Sequence, residues 1–125
     1  MATTKPATGN VKKSSDPQTP LFTRYYDLLV WLTARTKSFP RELRFVLGQR
    51  ILETAYGCYR YLVRAKKVSE AARPAVLLEA DILLDVLRTQ IRMAHELGCL
   101  SIEQYAQGAG LVNEVGRMLG TWRTP

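Results

Sequence analysis

PAVLLEADILLDVLRTQIRMAHEL (residues 74–97) decides the fold. Its apolar residues return every three or four positions, the period of an α-helix with a buried side. Ala80, Leu83, Leu87, Ile91 and Ala94 form one stripe, with small residues at both ends. Leu78, Ile82, Val86 and Met93 form a second, rotated from the first. Pro74 suits a first helical turn and Gly98 a terminus, so the spacing predicts one helix over 74–97. A helix apolar on two sides is either central in its domain or lies at a subunit interface.

Downstream, Ser101 with Gln104 three residues on has the form of a capping box and predicts a helix reaching Trp122. It also carries two stripes: Tyr105, Ala109, Val112, Gly116 and Leu119, then Leu111, Val115, Met118 and Trp122. Gly108, Gly110, Gly116 and Gly120 read as close-packing positions, the last two one turn apart so that a neighbouring helix can approach. Upstream, residues 41–68 place Gly48, Ile51, Ala55, Cys58 and Leu62 on one stripe, with Leu47, Leu52 and Tyr59 beside it. Before that, Phe22, Tyr25, Leu29 and Leu32 mark a helix from Leu21 that stops at Ser38-Phe39-Pro40. Proline disfavours helical geometry in the residue before it.

No strand alternation or Asn-Gly turn interrupts these segments. Four helices with short connections predict an all-α, antiparallel four-helix bundle over residues 21–125. Residues 1–20, rich in Thr, Ser, Lys and Pro, predict a disordered basic tail. No helix of such a bundle is fully central. The second stripes therefore predict a homo-oligomer with Leu78, Ile82, Val86, Met93, Val115, Met118 and Trp122 at its interface.

The 125 residues carry a net charge of +7, which favours a polyanionic partner. The charge is uneven. Residues 21–68 hold ten basic and three acidic residues, while residues 69–125 hold five basic and seven acidic. On the second helix Arg50 and Arg64 share a heptad position with Gly57, and Arg60 and Lys67 share another with Glu53. Both sets turn away from the apolar stripe. Salt-bridge lacing of that face would need interspersed acids, and only Glu53 is available. The cations there, with Arg24 and Arg35 on the first helix, are candidate nucleic-acid or partner contacts; arginine forks well onto phosphate. Arg88 and Arg92 stand one turn apart near Asp81 and Asp85, which leaves local pairing and a second basic spot as equal readings. Trp31 falls on the polar side of its helix, facing a partner or packing on an arginine stem. Tyr56, Tyr59 and Tyr61 read as packing residues.

Catalysis has no foothold in the pattern. His95 is the only histidine and sits near a helix C-terminus, a structural position. Cys58 and Cys99 form no CxxC, which fits buried thiols in a reducing cytoplasm rather than a disulfide or metal site. There is no nucleophile motif, no Gly-rich phosphate loop and no cofactor motif. No apolar run approaches a membrane span and no signal peptide opens the chain, so a cytoplasmic protein without membrane contact is expected.

Three stretches resemble the accessory variability determinant (Avd) family of diversity-generating retroelements. They are Phe39-Pro40-Arg41 with Leu47-Gly48-Gln49; Ala80-Asp81 through Leu87-Arg88 to Ile91-Arg92; and the most specific, EVGRMLGTW from Glu114 to Trp122. The likeness covers residues 21–123. It implies a four-helix protomer in a pentameric, barrel-like ring with a positive surface. It also implies partnership with the element's reverse transcriptase and with RNA or cDNA, without marked sequence preference, in support of mutagenic retrohoming. The family's basic residues on the third helix fall at Arg88 and Arg92, which adds weight to their functional reading. The broader four-helix-bundle family of ribosomal-RNA intervening-sequence proteins shares the Phe-Pro-Arg feature. It supplies the alternative: a structural oligomer binding a protein or ribosomal partner.

Overall fold

A computed structural model describes residues 18–124. Most of the expected tail, residues 1–17, lies outside the described residues. Helix α1 spans Thr19–Lys37. Thr19 and Pro20, assigned to the tail from sequence, instead form its first turn, where proline's missing N–H would have no helical acceptor. After Phe39, which is buried, the chain re-enters helix through Arg41–Leu43, a π-helical turn Arg44–Gly48, and Gln49–Lys67; these three segments together are α2. Helix α3 spans Arg73–Glu96 and α4 spans Ile102–Arg123. There is no strand among the described residues.

Helix α1 packs on α2, α2 on α3, α3 on α4, and α4 back on α1, closing a four-helix bundle. Leu28, Leu32, Ile51, Leu62, Leu84, Leu87, Ile91 and Leu119 are among the side chains sealed in its centre. Burial at this level contributes about 2 kcal/mol per large aliphatic side chain before chain entropy is set against it. Tyr25 is buried with them, its hydroxyl donating to the Ala55 carbonyl at 2.5 Å and its ring stacked on Tyr59. At Gly48 helix α2 lies against α1: an added Cβ would stand 3.4 Å from the Thr36 Cβ, an ordinary van der Waals distance.

The connections match their residues. Helix α3 ends at Gly98, φ +82°, with Gly98 N–H donating to His95 and Cys99 N–H to Ala94, the two bonds of a Schellman motif. The capping box forms as the spacing predicts: Gln104 N–H donates to Ser101 Oγ at 3.1 Å, and Ser101 N–H to Gln104 Oε1 at 2.9 Å. His95 has a structural environment, with Nδ1 3.0 Å from the Leu100 carbonyl and its ring stacked on Tyr105. Arg73 braces the α2–α3 corner. Its Nε donates to the Ala65 carbonyl at 2.8 Å, its Nη2 to Val68 at 3.2 Å, and its guanidinium lies over Trp122.

The buried side of α4 draws on both stripes read from sequence, Val112 and Leu119 from the first and Val115 from the second. Gly108, Val112, Val115 and Leu119 point inward, while Tyr105, Ala109, Leu111, Met118 and Trp122 are half-buried on either flank. Val115 is therefore a core residue of the protomer and not an interface residue. Met118 and Trp122 also pack against the core, Trp122 edge-on to Phe22. On α3 the core includes Leu77 and Leu84, with Leu83 at its margin.

Candidate nucleic-acid and partner surface

The predicted basic residues separate into two groups once their partners are visible. Arg50, Arg60, Arg64 and Lys67 are all exposed on α2, as are their neighbours Arg41, Arg44 and Lys66, and none of them makes an ion pair among the described residues. The Arg64 guanidinium lies 5.7 Å from the centre of the Tyr61 ring and the Lys66 ammonium 4.5 Å from that of Phe22, cation–π contacts that hold both charged heads near the surface. Arg35 is half-buried near the end of α1, also without an ion pair among the described residues, beside exposed Lys37. Gly57, which shares the heptad position of Arg50 and Arg64, is covered by Leu83 of α3.

The second group is internally paired. Arg24 reaches Asp27 at 3.0 Å and Glu114 of α4 at 3.5 Å, so it ties α1 to α4. Arg88 pairs with Asp85, its guanidinium laid over Gly116, where an added Cβ would meet Nη2 at 2.6 Å. Arg92 pairs with Glu96 at 3.0 Å, and that carboxylate raises the guanidinium's proton affinity. Arg123 pairs with Asp81 across the α3–α4 seam at 3.0 Å. Local pairing at Arg88 and Arg92 thus dilutes the charge that the resemblance places there. Gly120 and Gly110 have open space around them, and Gly116 faces a side chain rather than a closely approaching helix.

Trp31 is turned toward its own chain. Its Nε1 donates to Gln107 of α4 at 3.1 Å, and its ring fills the space over Gly108. Both sequence readings of this indole, a partner contact and an arginine stem, give way to that slot. A glycine carries no hydrophobic signal, so the slot was not visible in the period.

The apolar stripe predicted on α3 is open. Leu78, Ile82, Val86 and Met93 are 42–47% exposed, along the side of the helix opposite its core. A second open surface escaped the sequence reading. Between α1 and α2 runs a groove of about 580 Å³ lined by Tyr26, Leu29, Val30, Ala34, Tyr56 and Tyr59, among others. It adjoins, at Thr33 and Lys37, a hollow of about 330 Å³ under Phe45. Phe45 and Val46, both within the π-helical turn, are 65% and 68% exposed. An exposed Phe-Val pair beside arginines was the available signal.

No group of three or more His, Cys, Asp or Glu side chains is placed to hold a metal ion among the described residues. No described helix is long and apolar enough to cross a membrane. Cys58 is buried, its Sγ 3.3 Å from the Ala80 carbonyl, and burial pushes its thiol up to about 11.

Fold and surface define a basic four-helix bundle with unpaired cations along one flank and apolar surface left open on two others. The family model described as bAvd-like matches residues 21–124, and the chain belongs to that family. No curated protein matches the sequence.

Proposed function

We propose that this chain is a non-enzymatic accessory protein of a diversity-generating retroelement. It binds the element's reverse transcriptase, and its template RNA or cDNA, through the basic surface of α1 and α2, and so supports mutagenic retrohoming. The observation that carries this reading is the exposed row Arg50, Arg60, Arg64 and Lys67, which has no ion pair among the described residues. Unpaired arginines on one face repel one another until a polyanion neutralises them. Family membership supports the transcriptase as protein partner. The working form is a homo-oligomeric ring, pentameric by resemblance, in the cytoplasm. Around such a ring each basic flank is repeated, which raises avidity without any new contact.

The open α3 stripe favours a second reading, a structural oligomer of the intervening-sequence kind that engages a protein through apolar contact. Titration of the purified protein with RNA and DNA across a salt series separates the two. Retroelement accessory function requires binding that weakens steeply with salt; absent or salt-insensitive binding overturns it in favour of the structural reading.

A further inference from the structure

The hollow at the π-helical end of α2 has chemistry that the row on the α2 flank lacks. Its wall is the exposed ring of Phe45, and Leu52, Gly48, Thr36 and the stem of Lys37 line the rest. Lys37 and Arg44 stand at its rim, both exposed and without an ion pair among the described residues, with exposed Arg41 one turn before Phe45. Glu42 is the one acidic residue between Asp27 and Glu53. The surface is thus apolar in its middle and cationic around its edge, within a volume of about 330 Å³ that is on the scale of one nucleotide. Phe45 lies within the π-helical turn, and such turns occur frequently at functional sites.

From this placement we infer that the Phe45 hollow binds one unstacked nucleotide of a single-stranded RNA or DNA. The base lies against the Phe45 ring, and the flanking phosphates meet Lys37 and Arg44. The inference rests on the nucleic-acid reading above and deepens it: the α2 flank tracks any phosphate backbone, whereas this site discriminates single strands from duplex. A base paired inside a duplex has no free face to offer, while every unpaired base does. The wider groove at Tyr26, Val30 and Tyr56 lacks such a cationic rim, with Lys37 alone at its end.

The test uses the full chain and two probes of equal length, a labelled poly-uridine RNA and a blunt RNA duplex, followed by fluorescence anisotropy at low salt. Phe45→Ala removes an exposed side chain and leaves the core untouched. It should loosen the single strand by about tenfold, the effect of losing one stacked base, and leave the duplex affinity unchanged. Lys37→Ala with Arg44→Ala should weaken both probes and reduce the log–log salt slope by roughly two. In Phe45→Trp the added indole emission should be quenched by poly-uridine and not by the duplex. Equal effects of Phe45→Ala on both probes, or none on either, overturn the inference while leaving the general nucleic-acid reading standing. A change in oligomer mass in Phe45→Ala with single-strand affinity intact assigns the hollow to a subunit interface. A Phe45→Trp response to phosphatidylglycerol vesicles and not to RNA assigns it to a lipid surface. If the unaltered protein binds neither probe, the proposed function itself falls and this site with it.

Discussion

The indole of Trp31 lies directly over Gly108: a Cβ added at 108 would stand 2.6 Å from Cη2 and 2.8 Å from Cζ3. The ring is held there by its Nε1 hydrogen bond to Gln107, so it cannot swing aside without losing that bond. Gly116 meets an equally short approach, 2.6 Å, but from Nη2 of Arg88, the far end of a flexible side chain. The two glycines therefore respond differently to the same substitution. Gly108→Ala should destabilise the fold by about 1–3 kcal/mol through overpacking against a rigid ring. Gly116→Ala should be close to neutral, because the helix gains about 1 kcal/mol of propensity and Arg88 can shift. Chemical denaturation of both variants checks the contrast.

Moving Arg88 has a second consequence, in binding. Arg88 and Arg92 spend charge on Asp85 and Glu96, whereas Arg50 and Arg64 do not. Arg50→Glu with Arg64→Glu should cut RNA affinity strongly and lower the log–log salt slope by roughly two or more. Arg88→Ala should cost less than Arg64→Ala. Asp85→Asn, which frees Arg88, should tighten binding. A salt series on the four variants reads all of these, and an Asp85→Asn variant no tighter than the parent would show that Arg88 does not face the nucleic acid.

Charge placed on α3 and α4 separates interface from core. Ile82→Asp lies on the exposed stripe and should leave helicity intact while lowering the mass in solution, if that stripe joins subunits. Val115→Asp buries a carboxylate among Val112 and Leu119 and should unfold the protomer, at a cost of several kcal/mol, about 3 or more. Circular dichroism and light scattering together distinguish the outcomes.

Alkaline pH tests the buried Cys58 thiol. Its pKa stands at about 11 against 9.0 for the ordinary group, raised chiefly by burial. Tyr25 beside it is raised as well, again by burial first and then by the charge of Cys58. Both groups are neutral when protonated, so the folded state holds their protons more tightly than the unfolded chain does. Above pH 9 the unfolded state binds fewer protons, and stability falls by about 1.4 kcal/mol per pH unit for each group that differs. Unfolding free energy should thus be insensitive to these groups below pH 9 and decline toward pH 11. In Cys58→Ala the decline should begin nearer pH 10, where an unfolded tyrosine ionises. At neutral pH a thiol reagent should label partly exposed Cys99 and spare Cys58.

Much of the bundle was legible in the sequence because its helices announce their own ends. Pro40, Pro74, Gly98 and the Ser101–Gln104 box fall where the chain turns, and the stripe Gly48, Ile51, Ala55, Cys58, Leu62 is buried throughout. Phase was harder to read. On α4 the core line takes Val112 and Leu119 from one stripe and Val115 from the other, since a helix apolar on most sides gives the period no preferred direction. Trp31 was read as outward for a related reason: its receptor is an absence of side chain at Gly108. Ion pairs between distant positions, such as Arg24–Glu114 and Arg123–Asp81, have no signature in local spacing.

The π-helical turn at Arg44–Gly48 fits one residue more into α2 than an α-helical turn would hold. Every position before it is therefore rotated by about 100° relative to a straight continuation of Gln49–Lys67. With that extra residue discounted, Arg41 returns to the bearing of Arg60 around the helix axis, where an unbroken α-helix would leave it about 100° away. The turn thus lengthens the cationic face of α2 toward the tip of the bundle, so that a bound polyanion would have a longer straight run than Gln49–Lys67 alone offers.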